Sequence, residues 1–225
     1  MTEEEWLTSG NVEELLYGLC NLKHSTSRVP AYVATFSESG RVRRLLSPEM
    51  QVAFDDYVRW AYEGGPNPAT IYPEFAVFDP LEKQIIDAWD LAHDLRKLIG
   101  FPPGSWFAAS SFVMAEAYNE PHVGQWHRKP NADTATLLQN STTRLRDVVG
   151  NPFRPVTFSP SWRTDTAVSL ARQMYESREF GAMPILADAL QDAGCDNDAI
   201  LTHCRDASAT HVRGCWVVDL VLGKE

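Results

Sequence analysis

The sequence has no apolar run that approaches the roughly 18 residues of a membrane-spanning helix. Its opening segment carries Glu3, Glu4 and Glu5 and lacks the basic and then apolar order of a secretory signal. We therefore expect a soluble protein that stays in the cytoplasm and has no membrane partner.

Cysteine is also scarce, with 4 residues in a chain of 225. Small disulfide scaffolds are far richer in cysteine, and a reducing cytoplasm keeps thiols free, so we expect no disulfides. The sequence lacks a phosphate-binding glycine loop, a dinucleotide fingerprint and the nucleophile elbow of hydrolases. These absences argue against the common cofactor-dependent enzymes.

The chain has no excess of basic residues, since its formal net charge is −10. Binding to nucleic acid depends on lysine and arginine side chains that displace counterions from phosphates, and it needs a basic stripe. Acids and apolar residues interrupt every local group of arginines, which are Arg41, Arg43, Arg44, Arg144, Arg146, Arg154 and Arg163. We expect exposed helix faces or ion pairs at these positions and no nucleic-acid partner.

Signals that begin and end helices are frequent along the chain. Thr2 with Glu5 has the spacing of a capping box, and Ser47-Pro48-Glu49 combines a cap, a first-turn proline and an acid. A composition of 44% hydrophobic and 22% charged residues is that of an ordinary globular protein. We predict an all-α fold, an irregular or orthogonal multi-helix bundle that is either single or divided into two packed helical subdomains.

Glycine and proline divide the chain. A Pro/Gly-rich loop is predicted over residues 64–80, and a long helix follows Asp79-Pro80 and ends at Gly100. The run Gly150-Asn-Pro-Phe-Arg-Pro155 cannot continue a helix, because two prolines follow the glycine closely. We place a boundary there, between an N-terminal helical region, 1–150, and a compact C-terminal helical unit, 151–225.

Within the C-terminal unit the pattern predicts helices near 164–177, 184–193, 197–204 and 212–222. The last segment is rich in β-branched residues and has a strand as its alternative, but Gly223 favours a helix end. The predicted core of this unit consists of Phe153, Trp162, Leu170, Ile185, Leu186, Leu190, Ile200, Leu201, Trp216 and Leu220.

Reactive side chains are concentrated near the C-terminus, namely Cys195, His203, Cys204, His211 and Cys215. His211 and Cys215 lie four residues apart, so on a helix they share one face at a chelating distance. The Cys-x-x-Cys pair that is typical of structural zinc sites is missing. The favoured interpretation is therefore buried core cysteines without a cofactor, with a zinc site as the first alternative.

A second alternative is thiol chemistry, in which His211 activates Cys204 or Cys215. That arrangement needs an exposed, electropositive pocket. No other pattern in the sequence identifies a catalytic residue.

Aromatic residues in loops suggest a contact surface. Tyr72 lies beside prolines and Trp126 lies in a polar connector, and aromatic side chains are enriched where proteins meet partners. We predict a non-catalytic helical interaction or scaffold protein with a protein partner. A zinc-stabilised helical domain and a small enzyme of unknown type are the alternatives.

The C-terminal part of the chain carries several distinctive motifs, which are Gly150–Val156 (GNPFRPV), Met183–Leu190 (MPILADAL), Ala193–Cys195 (AGC), His203–Arg205 (HCR) and His211–Asp219 (HVRGCWVVD). They resemble those of a large family of uncharacterised bacterial proteins of planctomycete type. The resemblance covers about residues 144–225, and Thr2–Leu7 is similar to how those chains begin. Where relatives carry a paired Cys-Cys-Arg-Arg, this chain has Ser39-Gly-Arg-Val-Arg-Arg44. The resemblance implies kinship and no particular activity.

Overall fold

The computed structural model describes residues 1–20, 22, 28–35, 48–65 and 132–224. Regular structure in these residues is helical and includes no strand, so the predicted all-α class is confirmed. None of the helices in the described ranges is long and apolar enough to cross a membrane. Tyr72, Trp126, the predicted long helix and most of the predicted 64–80 loop lie outside the described residues.

The chain divides into two compact units, Met1–Thr142 and Thr143–Glu225. The helices of the first unit are α1 (Glu3–Thr8), α2 (Val12–Cys20), α3 (Val29–Ala34), α4 (Pro48–Glu63) and the first part of α5 (Ala132–Val149). Helix α3 packs against α4. The hydroxyl of Tyr32 in α3 donates to the carbonyl of Ser141 in α5 at 3.3 Å, and the Tyr32 ring is fully buried.

The capping box predicted at the first helix is confirmed. The backbone N–H of Glu5 donates to Oγ1 of Thr2 at 3.2 Å, and the N–H of Thr2 donates to the Glu5 carboxylate at 2.7 Å. Both bonds satisfy amides that the first turn of a helix leaves without an intrahelical partner.

The second unit begins with the last turns of α5. A 3₁₀ turn (Pro160–Trp162) and four short helices follow, α6 (Asp165–Ser177), α7 (Met183–Asp192), α8 (Asp198–Arg205) and α9 (Trp216–Leu222). Helix α6 packs against α7 and α9, while α8 packs against α7 and α9.

Local caps explain where these helices begin and end. The Thr164 side chain accepts the Ala167 N–H at 3.3 Å before α6, and Asn197 accepts the N–H groups of Ala199 and Ile200 before α8. Gly194 ends α7 at φ +87°, in the left-handed region that a glycine enters without steric cost.

The inward face of α7 shows which part of the predicted core is correct. Met183, Leu186, Ala187 and Leu190 are buried at the spacing of one helix face. Ile200 and Leu201 in α8 are also buried, as predicted. Five of the other predicted core positions are half-buried, and they are Phe153, Trp162, Leu170, Trp216 and Leu220.

The prediction that Ile185 belongs to the core is wrong, because its side chain is 58% exposed. It follows Met183 by two residues, which turns it about 160° away from the buried face of the helix.

The last helix begins later than predicted. Residues 212–215 form a turn in which the Cys215 N–H donates to the Val212 carbonyl at 2.9 Å, and Gly214 has φ +92°. That backbone conformation does not belong to an α-helix, so α9 starts at Trp216. The strand alternative for residues 215–222 is excluded, since the segment from Trp216 to Leu222 is helical.

Adjacent residues of α7 give a direct test of this packing. Leu186→Ala should lower the free energy of unfolding by about 2–5 kcal/mol, because it leaves a cavity in a fully buried site. Ile185→Ala should change it by less than about 0.5 kcal/mol, as expected for an exposed position. Urea denaturation followed by circular dichroism measures both, and equal losses would contradict the assigned face of α7.

Candidate metal centre

Four side chains from separate parts of the second unit come together. Asp147, His203, His211 and Cys215 each place one ligand atom within 4.8 Å of all the others. Asp147 lies in the last turn of α5 and His203 lies in α8, while His211 lies immediately before the 212–215 turn that precedes α9 and Cys215 lies at the end of that turn. We call this set the Asp-His-His-Cys cluster.

A hydrogen bond from the backbone of the turn before α9 joins this turn to the Asp147 side chain. The N–H of Val212 donates to Oδ2 of Asp147 at 2.8 Å. Oδ1 of the same carboxylate therefore faces the imidazoles of the cluster, at 2.8 Å from Nδ1 of His211 and 3.3 Å from Nε2 of His203.

Cys215 completes the cluster from the other end of this turn. Its Sγ lies 3.2 Å from Nε2 of His203 and 4.0 Å from Nδ1 of His211. Each imidazole thus uses a single nitrogen to face both the carboxylate oxygen and the sulfur, and the four atoms converge on one point.

The cluster is enclosed by protein. The side chains of Asp147 and His211 are 3% and 5% exposed, His203 is 18% exposed, and Cys215 is fully buried. Nε2 of His211 is also buried and has no hydrogen-bond partner among the described residues. The hydrogen bond of that ring is made by its other nitrogen, Nδ1, which faces Asp147.

Opposing effects act on the ionisation of the carboxyl group. Burial by itself raises the pKa of Asp147, but hydrogen bonds with His203 and His211, together with the attraction of those rings, lower it below its usual value. Asp147 is therefore a buried carboxylate anion. It also lies at the C-terminal end of α5, where the helix dipole disfavours negative charge.

The pKa of Cys215 is shifted in the opposite direction. Burial, and then the nearby Asp147 carboxylate, raises the pKa of Cys215 well above its usual value, although N–H groups of Val217 and Val218 act against this. Without a further cation in the cluster, Cys215 is a neutral thiol.

The geometry argues against thiol chemistry, the second alternative that the sequence left open for this cluster. A Cys-His-Asp relay uses both nitrogens of one imidazole, one for the sulfur and the other for the carboxylate. Here a single nitrogen of each ring faces both groups, and the sulfur is buried with a raised pKa. Atoms that converge in this way are suited to holding a metal ion.

The residues singled out in the sequence have different positions. His203, His211 and Cys215 are brought together, although His211 and Cys215 meet across a turn and not along the predicted helix face. Cys195 and Cys204 are buried free thiols outside the cluster. Burial first, and then Cys195 and Asp147, raises the pKa of Cys204 to about 12.

Asp147 is the member that the sequence interpretation missed. Its side chain is almost completely buried, although it lies near the helix end that disfavours negative charge. A carboxylate in such a position signals a cationic partner.

The chain was compared with known protein families, curated proteins and solved structures, and nothing matched it. The kinship inferred from the C-terminal motifs therefore stays a prediction.

The buried thiols give a test that does not depend on any metal. With a pKa of about 12 and almost no exposed surface, Cys204 should react with iodoacetamide on the order of a thousandfold more slowly at pH 8 than in the unfolded chain. Peptide mapping by mass spectrometry in buffer and in urea measures the ratio. Rapid labelling of Cys204 in the native protein would contradict the assigned burial.

Proposed function

We propose that the second unit is a zinc-stabilised helical domain. Oδ1 of Asp147, Nε2 of His203, Nδ1 of His211 and Sγ of Cys215 bind the ion. The observation that carries the proposal is the convergence of one oxygen, two nitrogens and one sulfur within 4.8 Å inside the protein.

The spacing of these atoms supports a tetrahedral ion. Zinc bonds of about 2.0–2.3 Å place tetrahedral ligand atoms about 3.3–3.8 Å apart. The separations of 3.3 Å, 3.2 Å and 4.0 Å lie at or near this range, and every pair of the four ligand atoms lies within 4.8 Å. The contact of 2.8 Å between Asp147 and His211 is shorter, as expected where a hydrogen bond joins the two groups.

The charges also favour a divalent cation. Two neutral imidazoles, a carboxylate and a thiolate carry a total charge of −2, which Zn²⁺ neutralises. Neutrality matters here because the cluster is buried, where an uncompensated charge is costly. The ion would also reverse the raised pKa of Cys215, since a coordinating thiol loses its proton.

A structural role fits better than a catalytic one. Structural zinc sites use four protein ligands, whereas catalytic sites keep one position open for water or substrate. All four positions are filled by side chains here, and the bound Val212 amide orients the carboxylate as an outer-shell partner. The ion would join the end of α5, α8 and the turn before α9, so its binding free energy adds to the stability of the fold.

Metal content is the first test of this proposal. Purified full-length protein should contain about one zinc per chain by inductively coupled plasma mass spectrometry, and a chelator should lower the melting temperature. Zinc at a thousand times its Kd adds about 4 kcal/mol, which is on the order of 15 °C or more for a unit of fewer than about 100 residues. Metal-free protein with an unchanged melting temperature would refute the site.

Substitutions at two proposed ligands and at one buried cysteine outside the cluster test which residues bind the ion. Cys215→Ser and Asp147→Asn should weaken zinc binding by more than the roughly 10–100-fold that outer-shell changes cause. Cys204→Ser is the matched control, because Cys204 is equally buried but lies outside the cluster. Competition with a chromophoric chelator measures the affinities, and equal losses in the two serine variants would contradict the assignment.

For the whole chain we propose a non-catalytic role as a cytoplasmic interaction protein. Two features support it, the closed character of the cluster and the acidic net charge of −10, which disfavours nucleic acid. Trp126→Ala and Tyr72→Ala should weaken binding to a protein partner and leave the zinc content unchanged. If removal of zinc abolishes binding to the partner and these two substitutions do not, the contact surface lies in the second unit instead.

A further inference from the structure

The end of α5 carries a glycine that lies against an aromatic ring. Gly150 has φ +74°, and its N–H donates to the Arg146 carbonyl at 2.8 Å. A Cβ atom on Gly150 would lie 3.2 Å from Cγ and 3.3 Å from Cδ2 of Trp216. Such contacts are too close for an unshifted ring, so the indole occupies space that any other residue would need.

The same indole lies beside a proposed zinc ligand. The ring centroids of Trp216 and His203 are 5.1 Å apart, with an angle of 53° between the ring planes. His203 in turn directs Nε2 towards Asp147 and Cys215, at 3.3 Å and 3.2 Å. A continuous set of contacts therefore connects the backbone of Gly150, through Trp216, to the ligand atom of His203.

We propose that Gly150 is a positioning residue for the metal site, because its missing side chain lets Trp216 pack against the end of α5 and hold the His203 ring in its ligating orientation. This inference rests on the proposed function. Zinc–ligand distances hold to within about 0.2 Å, so a shift of the indole by a few tenths of an ångström would be felt at the ion.

A simpler role for Gly150 is its left-handed backbone alone, which any side chain strains. Gly194 separates the two explanations. It has φ +87° at the end of α7, and nothing lies within 4 Å of the position that a Cβ atom would take there. Gly194→Ala therefore imposes the backbone strain without the contact to an aromatic ring, and it is the matched control for Gly150→Ala.

The experiment is a cobalt(II) titration of the full chain, since tetrahedral cobalt reports its ligand geometry by visible absorption. Gly150→Ala should weaken cobalt binding about 10–100-fold, the range for residues that orient a ligand, and should alter the spectrum. Gly194→Ala should keep the affinity and the spectrum of the unmodified protein. Equal behaviour of the two alanine variants would overturn the proposal.

A second pair of variants tests whether the effect of Gly150→Ala on the metal site passes through the indole of Trp216. It also keeps the proposal testable if the Gly150→Ala protein does not fold. Trp216→Leu leaves room for a methyl group at position 150. Adding Gly150→Ala to Trp216→Leu should then change cobalt affinity by less than about twofold, as expected when a coupled partner has been removed. A full 10–100-fold loss in that background would show that Trp216 does not transmit the effect.

The titration distinguishes failure of the proposed zinc site from failure of the positioning role alone. If the unmodified protein binds neither cobalt nor zinc, the metal site and the positioning role are both refuted. If it binds cobalt and Gly150→Ala binds equally well, only the positioning role is refuted.

Discussion

The buried carboxylate of Asp147 is the group on which the arrangement of the second unit depends. One oxygen accepts the Val212 amide and the other faces the imidazoles of His203 and His211. The end of α5, helix α8 and the turn before α9 thus meet at one residue. A charge that is 3% exposed must be compensated where it lies, and the surrounding residues are ordered by that requirement.

The helices of this unit could be predicted because their signals are local. Thr164, Asn197 and Gly194 mark helix ends through hydrogen bonds or backbone conformations that involve only near neighbours in the sequence. Errors appear where local rules compete. The predicted helix start at Val212 comes shortly before the apolar run that begins at Cys215, but Gly214 has a left-handed backbone and delays α9 to Trp216.

The candidate site was less predictable because its members meet through tertiary structure. His203, His211 and Cys215 lie close together in the sequence, and their types already suggested a metal or a buried thiol. Asp147 lies far upstream, and only the packing of the unit brings its carboxylate to them. Ile185 shows the same limit on a smaller scale, since hydrophobicity alone does not decide which side of α7 faces the core.

The placement of the cluster in the sequence bears on the order of folding. Residues 203, 211 and 215 span a short segment, so closing a loop around an ion there costs little conformational entropy, even before α8 and α9 pack. Asp147 requires a much longer loop and would join last. Under the proposed function, zinc would already associate weakly with the unfolded chain through the three local ligands. Coordination by Asp147 as the last ligand would then strengthen zinc binding and fix the position of the end of α5.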